Sequence, residues 1–563
     1  MLEDSSISSY TNHAESAQIW SPSPQWDRQA PPQSKALDSD AKRILLSILV
    51  TNFLVAAGHY IAISSVMELI RGLSCSEYYF LHDPRFHQEG DDLDCSLIEI
   101  QDRTSTVFSY MLSINSLVSG FSAIWLAPRP LKKLGQTATM VIATIGPAAE
   151  LFFLAWLPNQ FSSASPPGGL RSPTASLYLL IAEAGFFGLV GCPDTLIGIA
   201  SQAAVLQATP EALRSTWLAR LTSCTFLGML ASTLVLQGLN VDTSSNSVAD
   251  KLPILIGALA STLAVVWSLF TLPQSRSKPQ GPWIGDQQAQ QSSFADDEDD
   301  HREQNSVPTS AISAETSTSA PTLRSSLIDL FKPLHLLSPS THGSSRRDWR
   351  LTKLIIAGVL CDQIALTTNT QVIYVQSHFE LHAQELSLLL GLVGLTKWIY
   401  LVFAFPRLAA FVRKLCTSEN PTDETSSGLP TTASALASAS ADRLLAILSL
   451  VMDVLAWAIV ILAGRAYNYP AYLVALVLYA LSGASVSSIT SLASVLLPRE
   501  STVDDLVATL SSLSNVMSTV GPVINAAIYR YGLGLGFPEL VFGLAAFISV
   551  AGAVLVGSVS PRL

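Results

Sequence analysis

Twelve stretches of mostly apolar residues punctuate the chain, at 44–67, 105–127, 137–157, 176–203, 216–239, 252–272, 351–375, 384–405, 443–464, 470–496, 505–528 and 537–558. About twenty apolar residues is the length an α-helix needs to cross a bilayer core of ~30 Å. No water is available there, so every backbone amide must bond within its own segment. The pattern therefore predicts an all-α, polytopic membrane protein with twelve transmembrane helices. Ser, Thr and Gly dilute the second, fourth and eleventh stretches. Residues 1–43, the long segment 274–350 and a shorter insert at about 415–440 are rich in Ser, Thr, Gln, Asp and Pro. Such segments bury too little apolar surface to offset the entropy of ordering, and they are expected to be disordered. Within the long segment, Leu327 to Leu337 alternates enough to predict a short surface helix.

Composition agrees with the pattern. Apolar residues make up 49% of the 563 and charged residues only 13%, which excludes an ordinary string of soluble domains. The net charge of −11 sits mostly in loops and tails, with a block from Asp296 to Asp300 that reads as a solvated acidic tract. No basic run is interleaved with aromatics, so no nucleic-acid partner is expected. The N-terminal stretch lacks the basic-then-apolar arrangement of a cleaved signal, and the first helix is expected to direct insertion itself.

Lys and Arg are retained on the cytosolic side during insertion. With the N-terminus inside, 24 of the 32 Lys and Arg fall on cytosolic segments, 7 on the opposite side, and Lys397 alone lies mid-span. Both termini are therefore expected in the cytosol. The predicted organisation is a cytosolic N-terminus (1–43), a six-helix half (44–273), a linker (274–350), a second six-helix half (351–558) and a short cytosolic C-terminus (559–563).

The two halves repeat. The second stretch ends in Pro128-Arg129 and the eighth in Pro406-Arg407, each leading into a basic segment. Ser201-Gln202-Ala203-Ala204-Val205-Leu206 closes the fourth stretch, and Ser491-Leu492-Ala493-Ser494-Val495-Leu496 closes the tenth. Two matches at corresponding places fit a parallel duplication of six helices.

Of six cysteines, Cys192, Cys224 and Cys361 fall in apolar stretches and read as buried thiols. Cys75 and Cys95 share the first loop, where an oxidising compartment would permit a disulfide. That loop reads Cys75-Ser76-Glu77-Tyr78-Tyr79 and then Cys95 through Ile100-Gln101. On these motifs and the twelve-helix pattern the chain resembles the major facilitator superfamily, and within it a group of fungal transporters. The superfamily's loop between the second and third helices carries an Asp and a set of basic residues around a Gly. Aligned on Gly135, this chain has Lys132 in place of the Asp and Lys133 at the first basic position. The charge relay that the resemblance implies therefore lacks its acid. The fifth-helix motif of many proton antiporters is also absent, with Leu227, Gly228, Met229 and Leu230 in that stretch.

Ionisable groups inside a bilayer cost roughly 2.5–3.5 kcal/mol on insertion scales unless paired or wetted, so each calls for a reason. The resemblance implies that the first, fourth, seventh and tenth helices line a central cavity. Asp362 in the seventh stretch, with Asn369 two turns on and on the same face, is the leading candidate for a proton or substrate site. Glu183 is the second candidate, and Asp194, beside Pro193 on the same stretch, reads as a cap or gate residue. Lys397 either neutralises Asp362 or binds an anionic substrate. Glu150 and Asp453 occupy equivalent places on the third and ninth stretches and read as structural. His59 in the first stretch completes the set, histidine being the side chain most often used to carry a proton.

These residues point to a proton-coupled carrier of a small organic molecule, with efflux of a secondary metabolite or drug ahead of nutrient uptake. A non-transporting sensor with a carrier's fold is the rival reading. An enzyme is not expected: the nine histidines are scattered, His378 and His382 have metal-like spacing only by proximity in a short loop, and no phosphate-binding Gly-Lys loop is present. No cofactor and no metal are expected. The expected surroundings are membrane lipids, a monomeric state, and the plasma membrane, with the vacuolar membrane as the alternative.

Overall fold

The computed structural model describes residues 39–82, 95, 97–126, 128–156, 173–189, 193–238, 251–272, 333–339, 347–379, 381, 383–418, 430–498 and 501–560. The first group of helices comprises α1 (Ser39–His82), α2 (Ile98–Leu126), α3 (Pro128–Trp156), α4 (Pro173–Leu189), α5 (Pro193–Ala208), α6 (Glu211–Gly238) and α7 (Lys251–Thr271). A 3-10 turn at Pro333–Leu337 follows. The second group comprises α8 (Arg350–His378), α9 (Ala383–Ile399), α10 (Phe405–Ser418), α11 (Pro430–Arg465), α12 (Tyr469–Leu481), α13 (Ser485–Val495), α14 (Val503–Gly534) and α15 (Leu540–Gly557). Among the described residues, nine helices or joined helix pairs are long and apolar enough to cross a membrane, and two shorter apolar helices lie at Thr174–Gly188 and Leu196–Ala208. The chain is an integral, multi-pass membrane protein.

Several elements differ from the sequence-based expectation. The fourth stretch is two helices, because Pro193 has no N–H to continue a ladder and instead opens α5 at its first position. The tenth is also two, broken at Ser482–Ala484, where the Ser482 hydroxyl donates to the Tyr479 carbonyl at 2.7 Å and so competes with the helical ladder. The eighth does not stop at Pro406. A π turn at Tyr400–Ala404 takes up the missing proline N–H, and the helix runs on to Ser418. Residues expected in the polar insert are thus helical up to 418 and again from Pro430, while 419–429 lie outside the described residues. The basic segment after Pro128 is the start of α3 rather than a loop. α1 begins at Ser39, inside the expected N-terminal tail.

Each group packs mainly on itself. α1 lies against α6 and α7, α3 against α5 and α7, and α2 against α4; in the second group α11 lies against α12, α13 and α15, and α8 against α13, α14 and α15. Close approach rests on small residues, as it does where lipid supplies no hydrophobic drive. A Cβ on Gly58 would stand 2.6 Å from the Gly257 carbonyl oxygen, so α1 and α7 meet backbone to backbone. The linker contributes one anchored piece, the turn at 333–337, whose Leu336 is buried in the core of the second group and whose Leu337 carbonyl accepts from Thr352 Oγ1 at 3.2 Å.

At 44 residues and ~1.5 Å per residue, α1 is about twice as long as the bilayer core is thick. Its excess continues past the expected span on the side opposite the basic segments, called here the outer side. There Cys75 is bonded to Cys95, and Arg103 of α2 grips Glu77 through two hydrogen bonds of 2.8 and 3.1 Å. The fork of Arg matches the two carboxylate oxygens, so the outer end of α1 is tied ionically to α2 and covalently to Cys95 just ahead of it.

Candidate functional site

The two groups touch along two seams that the duplication relates to one another, α2 with α14 and α6 with α9. Glycine makes the second seam tight: a Cβ on Gly394 of α9 would lie 2.9 Å from the Phe226 carbonyl oxygen of α6, and one on Gly391 would lie 2.8 Å from the Thr233 side chain. At the inner side a polar cluster joins the groups. Asp442 of α11 is 1% exposed; it accepts from Ser491 at 2.6 Å and faces Arg413 at 3.5 Å. The same Arg413 nitrogen donates to Ser215 of α6 at 2.8 Å. Arg214 reaches Ser494 at 3.2 Å, and Gln207 reaches Asp504 at 2.9 Å. At the outer side the ties are fewer among the described residues: Thr233 donates to the Ser387 carbonyl at 3.2 Å, and the exposed pair Arg530–Asp102 stands at 3.6 Å. An exposed pair of that kind contributes little. A narrow crevice of about 20 Å³ lies between α2, α8 and α14 in this outer region and is lined by Ser105, Ser109, Thr370 and Tyr529 among others.

Midway along the α6–α9 seam lies Lys397. Its ammonium is over the ring of Tyr479 at 3.9 Å and that of Phe226 at 4.7 Å, and the residue is 7% exposed. The expected neutralisation by Asp362 is not the arrangement found. Asp453 of α11, 3% exposed, is the acid within electrostatic reach, and its Oδ1 has no hydrogen-bond partner among the described residues. Asp362 of α8 is instead half-buried and hydrogen-bonded to Ser514 of α14. The neighbouring Cys361 lies within electrostatic reach of both acids and bonds to Ser485, the first residue of α13. The break in the tenth span therefore stands beside Lys397, Asp453 and Cys361.

Glu183 of α4 is 4% exposed. Its Oε1 has no hydrogen-bond partner among the described residues, and the half-buried Glu150 of α3 is close enough for the two charges to interact. His59 is half-buried with its ring edge-on to Tyr60. The side chains of Asn369, Asp194, Lys132 and Lys133 lie outside the described residues, as does that of His382; Gly135 falls within α3. His378 is stacked against Tyr374 and Tyr467 and bonds to the Gly464 carbonyl at 3.0 Å.

Sequence reasoning missed Phe226, Tyr479, Ser482 and the inner cluster around Asp442. It also missed the buried polar pairs Gln363–Asn525 at 3.3 Å, Gln371–Tyr472 at 2.8 Å and Tyr374–Glu539 at 3.0 Å. The available signal was polarity: α8 carries Gln363, Thr367, Asn369 and Gln371 within one expected span, more than a helix facing lipid tolerates.

The fold is that of the major facilitator superfamily transporters. The chain is similar to the crystal structure of the human organic anion transporter MFSD10 (TETRAN), with 15% identity, a TM-score of 0.59, and coverage of 94% of this chain and 100% of that one. It is similar to the proton:xylose symporter XylE bound to 6-bromo-6-deoxy-D-glucose, at 11% identity, TM-score 0.57, and coverage of 92% and 95%. A bacterial homologue of the iron transporter ferroportin in an outward-facing state matches at 13% identity, TM-score 0.52, and coverage of 93% and 100%. No protein-family model matches the sequence, and no curated protein matches it.

Proposed function

We propose that the chain is a secondary active transporter that moves a small organic molecule across a membrane by alternating access, coupled to protons. Efflux of a secondary metabolite or drug is favoured over nutrient uptake, and the plasma membrane is the proposed residence. The observation that carries the reading is the asymmetry between the two sides of the seams. At the inner side the groups are joined by polar contacts of moderate strength, Asp442–Arg413–Ser215, Arg214–Ser494 and Gln207–Asp504. Each can break and re-form without disturbing either core. At the outer side fewer ties cross among the described residues, and a narrow crevice stands between α2, α8 and α14. Rocking one group on the other about the glycine-tight seams would exchange one opening for the other. Glu183 and Asp362 are the proposed proton-carrying acids, since an ionisable group inside a span is costly and calls for a functional reason. Two of the similar structures are an organic anion transporter and a proton:xylose symporter, which supports a reading of this class.

Distances between paired spin labels test the rocking directly. Labels at Glu211 and Ser501 report the inner side, and labels at Asp102 and Arg530 the outer, with the other reactive thiols replaced. The expected result is two populations, inner-short with outer-long and inner-long with outer-short, whose ratio changes with pH. A single arrangement on both sides at every pH would remove alternating access from the account.

A further inference from the structure

We propose that α10 is a docking surface for anionic phospholipid of the inner leaflet, the side that the basic segments mark, with Arg407 and Lys414 on the headgroup phosphate and Phe411 and Leu415 beside the first carbons of the acyl chains. The inference goes beyond transport and holds for whatever molecule the chain moves. α9, the π turn and α10 run without a gap from Ala383 to Ser418. Past Glu385 at the outer end, the large exposed side chains of α9 and the π turn are wholly apolar: Leu388, Leu392, Ile399 and Phe403 are 39–52% exposed, a face that acyl chains cover. From Leu388, about twenty residues reach Arg407, the length that crosses the core, so Arg407 stands at the inner boundary. There the exposed face changes character. Successive helical residues turn by ~100°, which sets Phe405, Ala409 and Val412 on one side of α10, buried with Ala441 and Leu445 of α11. Arg407, Phe411, Lys414 and Leu415 lie on the opposite side, and all four are exposed.

Neither water nor hydrocarbon suits that second face. In water Phe411 and Leu415, 60% and 50% exposed and one turn apart, would keep their apolar surface wet. In hydrocarbon the two cations would lose their hydration with nothing to replace it. The headgroup layer satisfies both kinds of side chain at once: it offers phosphate to the cations and acyl carbons to the apolar residues a turn away, and long basic side chains reach for it along their own aliphatic stems. Arg407 gives one N–H to the Phe403 carbonyl at 2.7 Å and makes no ion pair within 4.0 Å among the described residues, while a guanidinium has five N–H donors. Arg413, between the two cations in sequence, turns the other way to Asp442 and Ser215 and is not part of the surface. α10 itself carries no acid. Two basic residues on an acid-free helix just past the core select a negatively charged headgroup over a zwitterionic one.

The test uses the full chain in bilayers of phosphatidylcholine and phosphatidylserine mixed four to one. A bimane label is placed by Ala410→Cys, an exposed position of α10, with the other reactive thiols replaced. Bromine carried near the glycerol end of the acyl chains, on one lipid or on the other, quenches the label when that lipid lies beside it. Each basic residue at an anionic surface is worth about fivefold, so brominated phosphatidylserine is expected to quench about five- to twenty-five-fold more per molecule than brominated phosphatidylcholine, and high salt to shrink the excess. Arg407→Gln combined with Lys414→Gln should bring the two lipids level. A label at Leu392→Cys on α9, against acyl chains, should show no preference. Equal quenching by the two lipids at Ala410→Cys, an excess that survives both Gln substitutions, or the same excess at Leu392→Cys would each overturn the assignment. Quenching by neither lipid would overturn it too, because α10 would then stand clear of the bilayer. The order of the two lipids with Arg407 and Lys414 in place decides the matter even if the double variant fails to fold. No flux is read, so the outcome stands whether or not the transporter reading does.

Discussion

Asp442→Ala is expected to open the inner side. In the intact chain this carboxylate is 1% exposed and receives the Ser491 hydroxyl at 2.6 Å and the Arg413 guanidinium at 3.5 Å, while Arg413 carries the contact on to Ser215 in the other group. Removing the acid leaves Arg413, whose side chain is 18% exposed, without its counter-charge. Breaking a buried pair by deleting one partner costs about 3–5 kcal/mol. Part of that loss falls on any state in which α10, α11 and α13 stay packed, because those helices all belong to the second group. The rest falls only on the inner-closed state, in which Arg413 reaches Ser215, so the balance moves towards inner opening. If ~1.4 kcal/mol is state-specific, the shift is about tenfold. A cysteine at Ala219, which is fully buried where α6 meets the second group, reads it out: labelling by a thiol reagent supplied from the inner side should accelerate about tenfold in Asp442→Ala and less in Asp442→Asn, which keeps a hydrogen-bond acceptor. Unchanged labelling in the alanine variant would show that the cluster is not a latch.

Gly394→Leu is expected to be the more damaging change, and for the opposite reason. Here nothing is removed. The added carbons must occupy the place of the Phe226 carbonyl oxygen, 2.9 Å from where the first of them would sit, with the Leu230 amide 3.4 Å away. Both are backbone atoms of a helix and cannot swing aside, so α6 and α9 must separate. Overpacking a well-filled interface costs about 1–3 kcal/mol, and separation also removes the rings from Lys397. The measurement is thermal unfolding in detergent alongside flux, with Gly534→Leu as the control, since a Cβ there meets nothing within 4 Å. The control should melt like the intact chain and Gly394→Leu several degrees lower, with flux lost at temperatures where it is still folded. A Gly394→Leu protein that melts and transports normally would mean that the seam is looser than its geometry.

The spans were legible because lipid imposes one rule on every segment, and the rule is written in local composition. The interruptions were not. A window of twenty residues averages over Ser482, Gly483 and Ala484, and apolar flanks on both sides hide a break of one turn. Pro193 carried a signal of its own, since proline opens helices more readily than it continues them, and Pro406 showed the limit of that signal: a π turn absorbed it, and α10 went on. Among the candidate residues, depth within a span identified Glu183, Asp362, Asp453 and Lys397 as groups needing a partner, but the partners come from other helices. Charge alone offers Lys397 either Asp362 or an anionic substrate as partner, whereas packing sets it beside Phe226 and Tyr479 and within electrostatic reach of Asp453, residues far apart in sequence and invisible to any periodicity. Asp442 was overlooked because it lies at the edge of a span beside a polar insert, where an acid costs nothing unless tertiary packing buries it.

A secondary active transporter must let a molecule cross the membrane through this chain. The direct measurement is mass-spectrometric comparison of cells and medium for the intact protein, a deletion and Asp362→Asn, under pH gradients of either direction. The account predicts at least one small organic compound retained by cells of the deletion and released through the intact protein, with release following the gradient and lost or made independent of it in Asp362→Asn. If no compound redistributes under either gradient while the intact protein is present and folded, the transporter reading is contradicted and the sensor reading takes its place.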